Sequence, residues 1–339
     1  MSDTVLFSEA DGLGTVTFNR PMALNACDLD MVGEIDAALR RWRQDDRIKA
    51  VLLRGDGFRA FSAGGDLRAV YRAGTSGDQA YLTAFLRAEY RLLHLWATYP
   101  KKTIALVNGI SMGLGAALAA AARVRVVTDL TLFATPECRI GLMPDLGAGL
   151  FLNRCPGKIG LFLALTGMEI RAPGMIYAGL GTHFLPPERV DVLAADNADD
   201  LALPVGQVPL AQIQPEIDRS FGQRSLAEVI TVLSARNEQG FRDILGQIQR
   251  SPALSLQLTF THLTRAAALS LDDVLKQEYR VTRRLLRQAE PMEGIRARLI
   301  DRDGAPRWQE RDPAKITPAV VESYFAPLTD EPELYFQEN

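Results

Sequence analysis

The chain has 339 residues, 47% of them apolar, and a formal net charge of −3. That length suits one large domain or two, and the near-balanced charge speaks against nucleic acid as a partner. The longest apolar run, Ala116 to Ala122, is too short to cross a bilayer. The first residues, MSDTVLFSEADG, carry acids early and lack a basic-then-apolar pattern, so a cytoplasmic location is expected.

In chain order, TVLFSEADGLGTVTFN reads as a hairpin turning at Asp11-Gly12. Asp28 offers an N-cap to a helix whose Leu29, Val32, Ile35, Leu39 and Trp42 recur at helical spacing. AVLLRG (50–55) predicts a buried strand, residues 79–98 a second helix, and TIALVNG (103–109) a second buried strand. A helix is expected from near Gly113, then strands at RVVT and TLFA. This alternation is that of an α/β domain. From about residue 206 helical patterns dominate, with capping boxes at Ser225–Glu228 and Ser270–Asp273. The Pro- and Gln-rich PVGQVPLAQIQP marks the boundary. The Arg-rich stretch from Arg280 to Arg311 reads as a solvated helix face with its flanks, or as a contact to phosphate. The expected division is residues 1–205, 206–333, and a tail, 334–339, that in part resembles the scar of an expression tag.

Cys27, Cys138 and Cys155 show no paired spacing, so neither a disulfide framework nor a zinc site is indicated. Cys138, beside Glu137, is a candidate nucleophile, with a core-filling thiol as the plainer reading. His94, His183 and His262 lie far apart, and nothing local assembles a triad around them.

Four segments break the expected patterns. FSAGGDL (61–67) follows a strand, and its paired glycines let the backbone approach a ligand, unless they only make a turn. NGISMGLGAAL (108–118) resembles a loose dinucleotide fingerprint, but the third glycine and the following acid are missing, so a Rossmann cofactor is not expected. What it does offer is a helix start, whose unpaired N–H groups suit an anion or an oxyanion that forms during reaction. Glu89 falls on the apolar face of its helix with Leu82, Phe85, Leu86, Leu93 and Trp96. It must pair with an arginine there or face a cavity, because a lone buried carboxylate is costly. Finally, TPECRIGLMPDLGAG (135–149) sets Glu137 and Asp145 among apolar residues. Two acids so placed can divide acid and base roles, or can simply cap a turn or helix.

Together SAGGDL, NGISMGLG and TPECRIGLMPDLGAG resemble the crotonase (enoyl-CoA hydratase/isomerase) superfamily, and the resemblance covers nearly the whole chain. EYRVTRRLL, EGIRARLIDRDGAPRW and AVVESYF look like the extended tail of its hydrolase group. The resemblance implies an α/β fold, a spiral of ββα turns followed by a C-terminal helical region. It implies that the backbone N–H groups of Gly65 and Leu114 form an oxyanion hole for a thioester oxygen. Glu137 would be the principal catalytic carboxylate, Asp145 its partner near a substrate hydroxyl, and Glu89 a substrate contact. The CoA portion would run along Ala23, Phe61, Ala63 and Asp66. No metal or redox cofactor is implied, since CoA is part of the substrate, and a trimer or hexamer is the family's common assembly.

The implied activity is hydrolysis of a short β-hydroxyacyl-CoA, with 3-hydroxyisobutyryl-CoA, of valine catabolism, as the expected substrate. The alternatives are a dienoyl-CoA isomerase, an enoyl-CoA hydratase, or a non-catalytic acyl-CoA-binding protein. Simple hydratases carry a glutamate where this chain has Ala117. The chain also has Leu114 where glycine is usual at the second oxyanion position, and Ala148 where the hydrolase group favours glycine.

Overall fold

The structure, a computed structural model, describes residues 3–186, 188–189 and 207–336. The chain opens with β1 (Val5–Ala10), β2 (Leu13–Phe18) and α1 (Leu29–Gln44). Asp11 and Gly12 both take positive φ, 49° and 79°, as a two-residue hairpin turn requires. Asp28 caps α1 by accepting from the Met31 N–H at 3.0 Å. Next come β3 (Ala50–Gly55), β4 (Ala60–Ser62), α2 (Leu67–Ser76), α3 (Gln79–Ala97), β5 (Lys102–Val107), β6 (Ile110–Ser111) and α4 (Leu114–Ala121). They are followed by β7 (Val124–Val127), β8 (Leu132–Phe133), α5 (Ala148–Phe151), α6 (Ile159–Thr166), β9 (Ile170–Arg171), α7 (Ala172–Tyr177) and β10 (His183–Phe184). The remaining described elements are helical: α8 (Pro209–Phe221), α9 (Leu226–Ser234), α10 (Gln239–Ile248), α11 (Ala253–Ala266), α12 (Leu271–Leu285), α13 (Ala289–Ile295) and α14 (Pro318–Phe325).

The chain forms two compact units that interleave along the sequence. The first takes 1–66, 87–134 and 169–212, the second 67–86, 135–168 and 213–339. A single cut at residue 205 does not describe this, and residue 205 itself lies outside the described residues.

In the first unit a six-stranded sheet runs β1-β2-β3-β5-β7-β10, and a four-stranded sheet β4-β6-β8-β9. From β2 to β10 the larger sheet is parallel. Three successive turns each place one strand in the larger sheet (β3, β5, β7) and the next in the smaller (β4, β6, β8). This is a spiral of ββα type. The parallel strands are apolar almost throughout, as two-sided burial demands. Leu52, Ile104, Leu106, Val126 and Leu185 pack in one cluster on the larger sheet, each contributing about 1.5–3 kcal/mol by burial.

The second unit is largely helical. Ser225 caps α9 through the Glu228 N–H, and Ser270 caps α12 through the Asp273 N–H, each at 3.2 Å. The Pro- and Gln-rich boundary segment (204–215) does contain a division between the units, after Gln212, and it is helical from Pro209, with Pro215 inside α8. Leu210, Ile217 and Phe221 are buried. That apolar spacing outweighs the roughly 3 kcal/mol that an internal proline costs a helix.

Among the arginines of 280–311, Arg287, Arg298, Arg302, Arg307 and Arg311 are exposed as expected, and Arg283 is the exception. Arg283 is 2% exposed. Its Nε lies 2.7 Å from a Glu331 carboxylate oxygen, an ion pair rather than a well-aimed hydrogen bond. Arg280 pairs with Glu333 at 3.0 Å and Arg287 with Asp330. Arg284 donates to the carbonyls of Tyr324, Ala326 and Pro327. Acids and carbonyls of the chain's own later segment thus take up these charges, and no phosphate is needed to explain them. Leu334, expected to stand outside the fold, is fully buried. No helix among the described residues is long and apolar enough to cross a membrane.

Candidate active site

The two glycine loops of the first unit are neighbours because the strands before them are. β4 and β6 pair in parallel, Ala60 opposite Ile110 and Ser62 opposite Ser111, so the segments leaving them emerge side by side. Met112 N–H donates to the Ser62 carbonyl at 3.1 Å. Gly115, in the first turn of α4, sits where a Cβ would lie 2.3 Å from that same carbonyl oxygen, so only glycine lets the helix approach. Gly64 has φ +98°, and a Cβ there would stand 3.0 Å from the Leu114 nitrogen. Trp96 holds the other end of α4, donating its indole N–H to the Leu118 carbonyl at 2.8 Å.

A buried polar network sets the first loop. Asn25, at φ 55°, donates to the carbonyls of Asp56 and Ala60 and accepts from the Arg20 N–H. Ser62 gives its hydroxyl hydrogen to the Asn25 carbonyl at 2.9 Å and accepts from the Gly64 N–H at 3.1 Å. Cys27 N–H donates to Gly64 O, and Asp66 N–H to Cys27 O, each at 2.8 Å. This bridge takes the main-chain groups on either side of Gly65 and leaves its own N–H out. Neither the Gly65 nor the Leu114 N–H donates to an acceptor among the described residues. Both predicted oxyanion donors therefore lie on abutting segments, with neither hydrogen taken by the described residues. The Leu114 side chain is 1% exposed, packed away from solvent.

Glu89 is 5% exposed, with Leu82, Phe85, Leu86, Leu93 and Trp96 of its face also buried, as the periodicity of α3 predicts. Burial raises the Cys27 thiol to about 12, and the Glu89 carboxylate adds to the rise.

The residues expected along the CoA chain divide. Ala23 is exposed, and Ala63 and Asp66 are half-buried. Asp66 pairs with Arg20 at 3.0 Å, and Ala63 N–H is spent on Leu24 O. The ring of Phe61 is fully buried, edge-on to Phe18 at 5.4 Å. Its side chain is core, so a ligand contact at Phe61 would be through its main chain.

The second unit holds the two acids. Glu137 opens a single 3₁₀ turn, Glu137–Ile140, and is half-buried. The residues after it moor the turn. The Cys138 thiol lies 3.1 Å from the Thr259 hydroxyl on α11. The Arg139 guanidinium donates twice to the Thr166 carbonyl, at 3.0 and 2.6 Å, where α6 ends. Gly141, at φ +78°, is backed so closely by Glu290 and Pro291 that a Cβ would come within 2.9 Å of their backbone. Asp145 is half-buried, and its Oδ2 accepts from the Thr282 hydroxyl of α12 at 2.8 Å. It precedes two residues at positive φ, Leu146 (54°) and Gly147 (85°). For leucine that conformation costs about 1–2 kcal/mol, so neighbours must impose it. Ala148, where glycine was expected, is fully buried at the start of α5.

Within the first unit, then, the structure brings together Gly65, Leu114 and Cys27, with Glu89 buried on α3. Within the second it ties Glu137 and Asp145 to the C-terminal helices. Sequence reasoning missed Asn25, Ser62 and Thr282. Only Asn25 carries a local signal, asparagine's tolerance of the left-handed region.

Cys138 is not a nucleophile. It is fully buried, and burial raises its thiol to about 12, as it does for Cys155. Native protein at about pH 8 is expected to take up no iodoacetamide, because the reactive thiolate is absent. Unfolded chain should take up label at all three cysteines. Intact mass checks both, and a native adduct at Cys138 would restore it as a candidate.

The family model described as Enoyl-CoA hydratase/isomerase matches residues 13–325. A zebrafish (Danio rerio) protein named 3-hydroxyisobutyryl-CoA hydrolase, mitochondrial, is 36% identical over 349 residues, covering 97% of this chain and 91% of the relative. The human (Homo sapiens) protein of that name is 32% identical, covering 96% and 89%. Among solved structures, an enoyl-CoA hydratase from Rhodobacter sphaeroides 2.4.1 superposes with a TM-score of 0.91 at 40% identity, covering 99% of this chain and 100% of that one. A carnitinyl-CoA dehydratase from Mycobacterium thermoresistibile gives 0.94 at 36% identity, with both chains fully covered. With both glycine loops, both acids and the C-terminal helices inside the matched region, the chain belongs to the enoyl-CoA hydratase/isomerase family.

Proposed function

We propose that the chain hydrolyses the thioester of a short β-hydroxyacyl-CoA, with 3-hydroxyisobutyryl-CoA as its substrate. The observation that carries the chemistry is the pair of main-chain N–H groups, Gly65 and Leu114, without an acceptor on abutting loops. Two such donors suit a carbonyl oxygen that gains negative charge as the acyl carbon becomes tetrahedral. The acyl group is proposed from the relatives, which align through the C-terminal helices that moor Glu137 and Asp145.

In this reading the thioester oxygen accepts from Gly65 and Leu114. Glu137 either attacks the acyl carbon, giving a mixed anhydride that water then opens, or takes a proton from the attacking water. On either route the C–S bond breaks, the sulfur leaves as CoA thiol, and the acyl group leaves as the free acid. Asp145 receives the β-hydroxyl of the acyl group, and Glu89 contributes to substrate binding. The CoA chain passes the exposed Ala23 and the main chain of Phe61, Ala63 and Asp66.

Hydration is the second reading, favoured by the names of the two solved neighbours. Against it, the position where family hydratases carry their first glutamate is Ala117, buried in α4. Product analysis separates the readings. Incubation with 3-hydroxyisobutyryl-CoA should yield free CoA and 3-hydroxyisobutyrate by mass spectrometry. Loss or gain of water on an intact CoA ester, without free CoA, would replace hydrolysis by hydratase chemistry, and an unchanged ester would leave a binding protein.

A further inference from the structure

One fully buried carboxylate is not yet accounted for. Glu278, on α12, is 0% exposed. It accepts from the Gly147 N–H at 2.6 Å and the Gly149 N–H at 2.9 Å, and lies 2.8 Å from His262 Nε2. His262, equally buried, has its other nitrogen 2.8 Å from the Gln277 side-chain amide nitrogen. That amide donates to Nδ1, so Nε2 carries the hydrogen offered to Glu278. A carboxylate buried this deeply requires such donors, and two of them are the amides that follow the strained Leu146. Gly149 is glycine because a Cβ there would meet His262 at 2.8 Å and Ala266 at 2.6 Å. One turn further along α12, Thr282 donates to Asp145 itself. A single helix face therefore holds both the side chain of Asp145 and the backbone just after it.

Resting on the hydrolase reading, we propose that Glu278 and Thr282 are positioning residues that give the enzyme its preference for a β-hydroxyl. With one Asp145 oxygen engaged by Thr282 and the Gly147–Gly149 backbone clamped by Glu278, the carboxylate presents one fixed orientation to a substrate hydroxyl. Acyl groups without that hydroxyl gain nothing from the arrangement. A residue that serves only packing would change both classes of ester alike.

The test compares kcat/KM for 3-hydroxyisobutyryl-CoA and isobutyryl-CoA, with Tm measured on every variant. Wild type should favour the hydroxylated ester. Thr282→Val, nearly isosteric, should lower that preference about tenfold, the usual worth of one hydrogen bond to a charged group, and Thr282→Ser should restore it. Glu278→Gln should lower the preference in the same direction. If it does not fold, the Thr282 pair decides alone. An unchanged preference in Thr282→Val, or an equal fall for both esters, overturns the inference. So does a wild type that hydrolyses both esters equally well, although hydrolysis itself then stands. A wild type that frees CoA from neither ester defeats the hydrolase reading as well.

Discussion

Glu137→Gln is expected to reduce CoA release from 3-hydroxyisobutyryl-CoA by about 10³-fold while leaving Tm unchanged. The amide matches the carboxylate in size but neither attacks an acyl carbon nor takes a proton from water. The turn that carries it is held by its neighbours: Cys138 against Thr259, Arg139 on the Thr166 carbonyl, and Gly141 against Glu290 and Pro291. The substitution therefore separates chemistry from folding. A thiol-release assay with a thermal melt reads both, and a variant that keeps the wild-type rate removes Glu137 from the mechanism.

Gly64→Val is expected to lower kcat/KM by about 10²–10³-fold, the effect of losing one oxyanion donor. At φ +98° a side chain is strained, and its Cβ would lie 2.9 Å from Met112 O, 3.0 Å from Leu114 N and 3.1 Å from Gly113 Cα. All three are backbone atoms, so no rotamer change relieves the contact, and the two loops must part. Gly57→Val is the control. It has a similar φ of +75°, but its nearest neighbour, Pro21 Cβ, is 3.9 Å away. It should lose about 1–2 kcal/mol of stability from strain alone and keep its kcat/KM. Equal activity loss in both variants would make the Gly64 effect one of stability rather than of donor placement.

Elements with local causes were legible in the sequence. Asp11-Gly12 dictated the hairpin, Asp28 the start of α1, Ser225 and Ser270 the starts of α9 and α12, and β-branched and leucine runs the parallel strands. Glu89 was legible as an anomaly because helical periodicity alone places it on a buried face. The two acids among apolar residues at 137 and 145 were legible for the same reason. What holds them was not. Thr282 reaches Asp145 across 137 residues of chain, and Glu278 reaches Gly147 across 131, and no spacing rule connects such partners. Arg283 looked like a surface charge because nothing local shows Glu331 folding back to meet it. PVGQVPLAQIQP (204–215) read as a boundary from its Pro and Gln, and that composition hides the helix Pro209–Phe221, whose structure three apolar residues at helical spacing decide. The interleaved units are beyond composition entirely, since they depend on which segments pack together.

If Gly65 and Leu114 hold the thioester oxygen, a crystal structure of the Glu137→Gln protein soaked with 3-hydroxyisobutyryl-CoA should place that oxygen roughly 2.7–3.1 Å from both nitrogens, with the β-hydroxyl on Asp145. An ester bound with its carbonyl turned away from both nitrogens would remove the oxyanion hole from the mechanism.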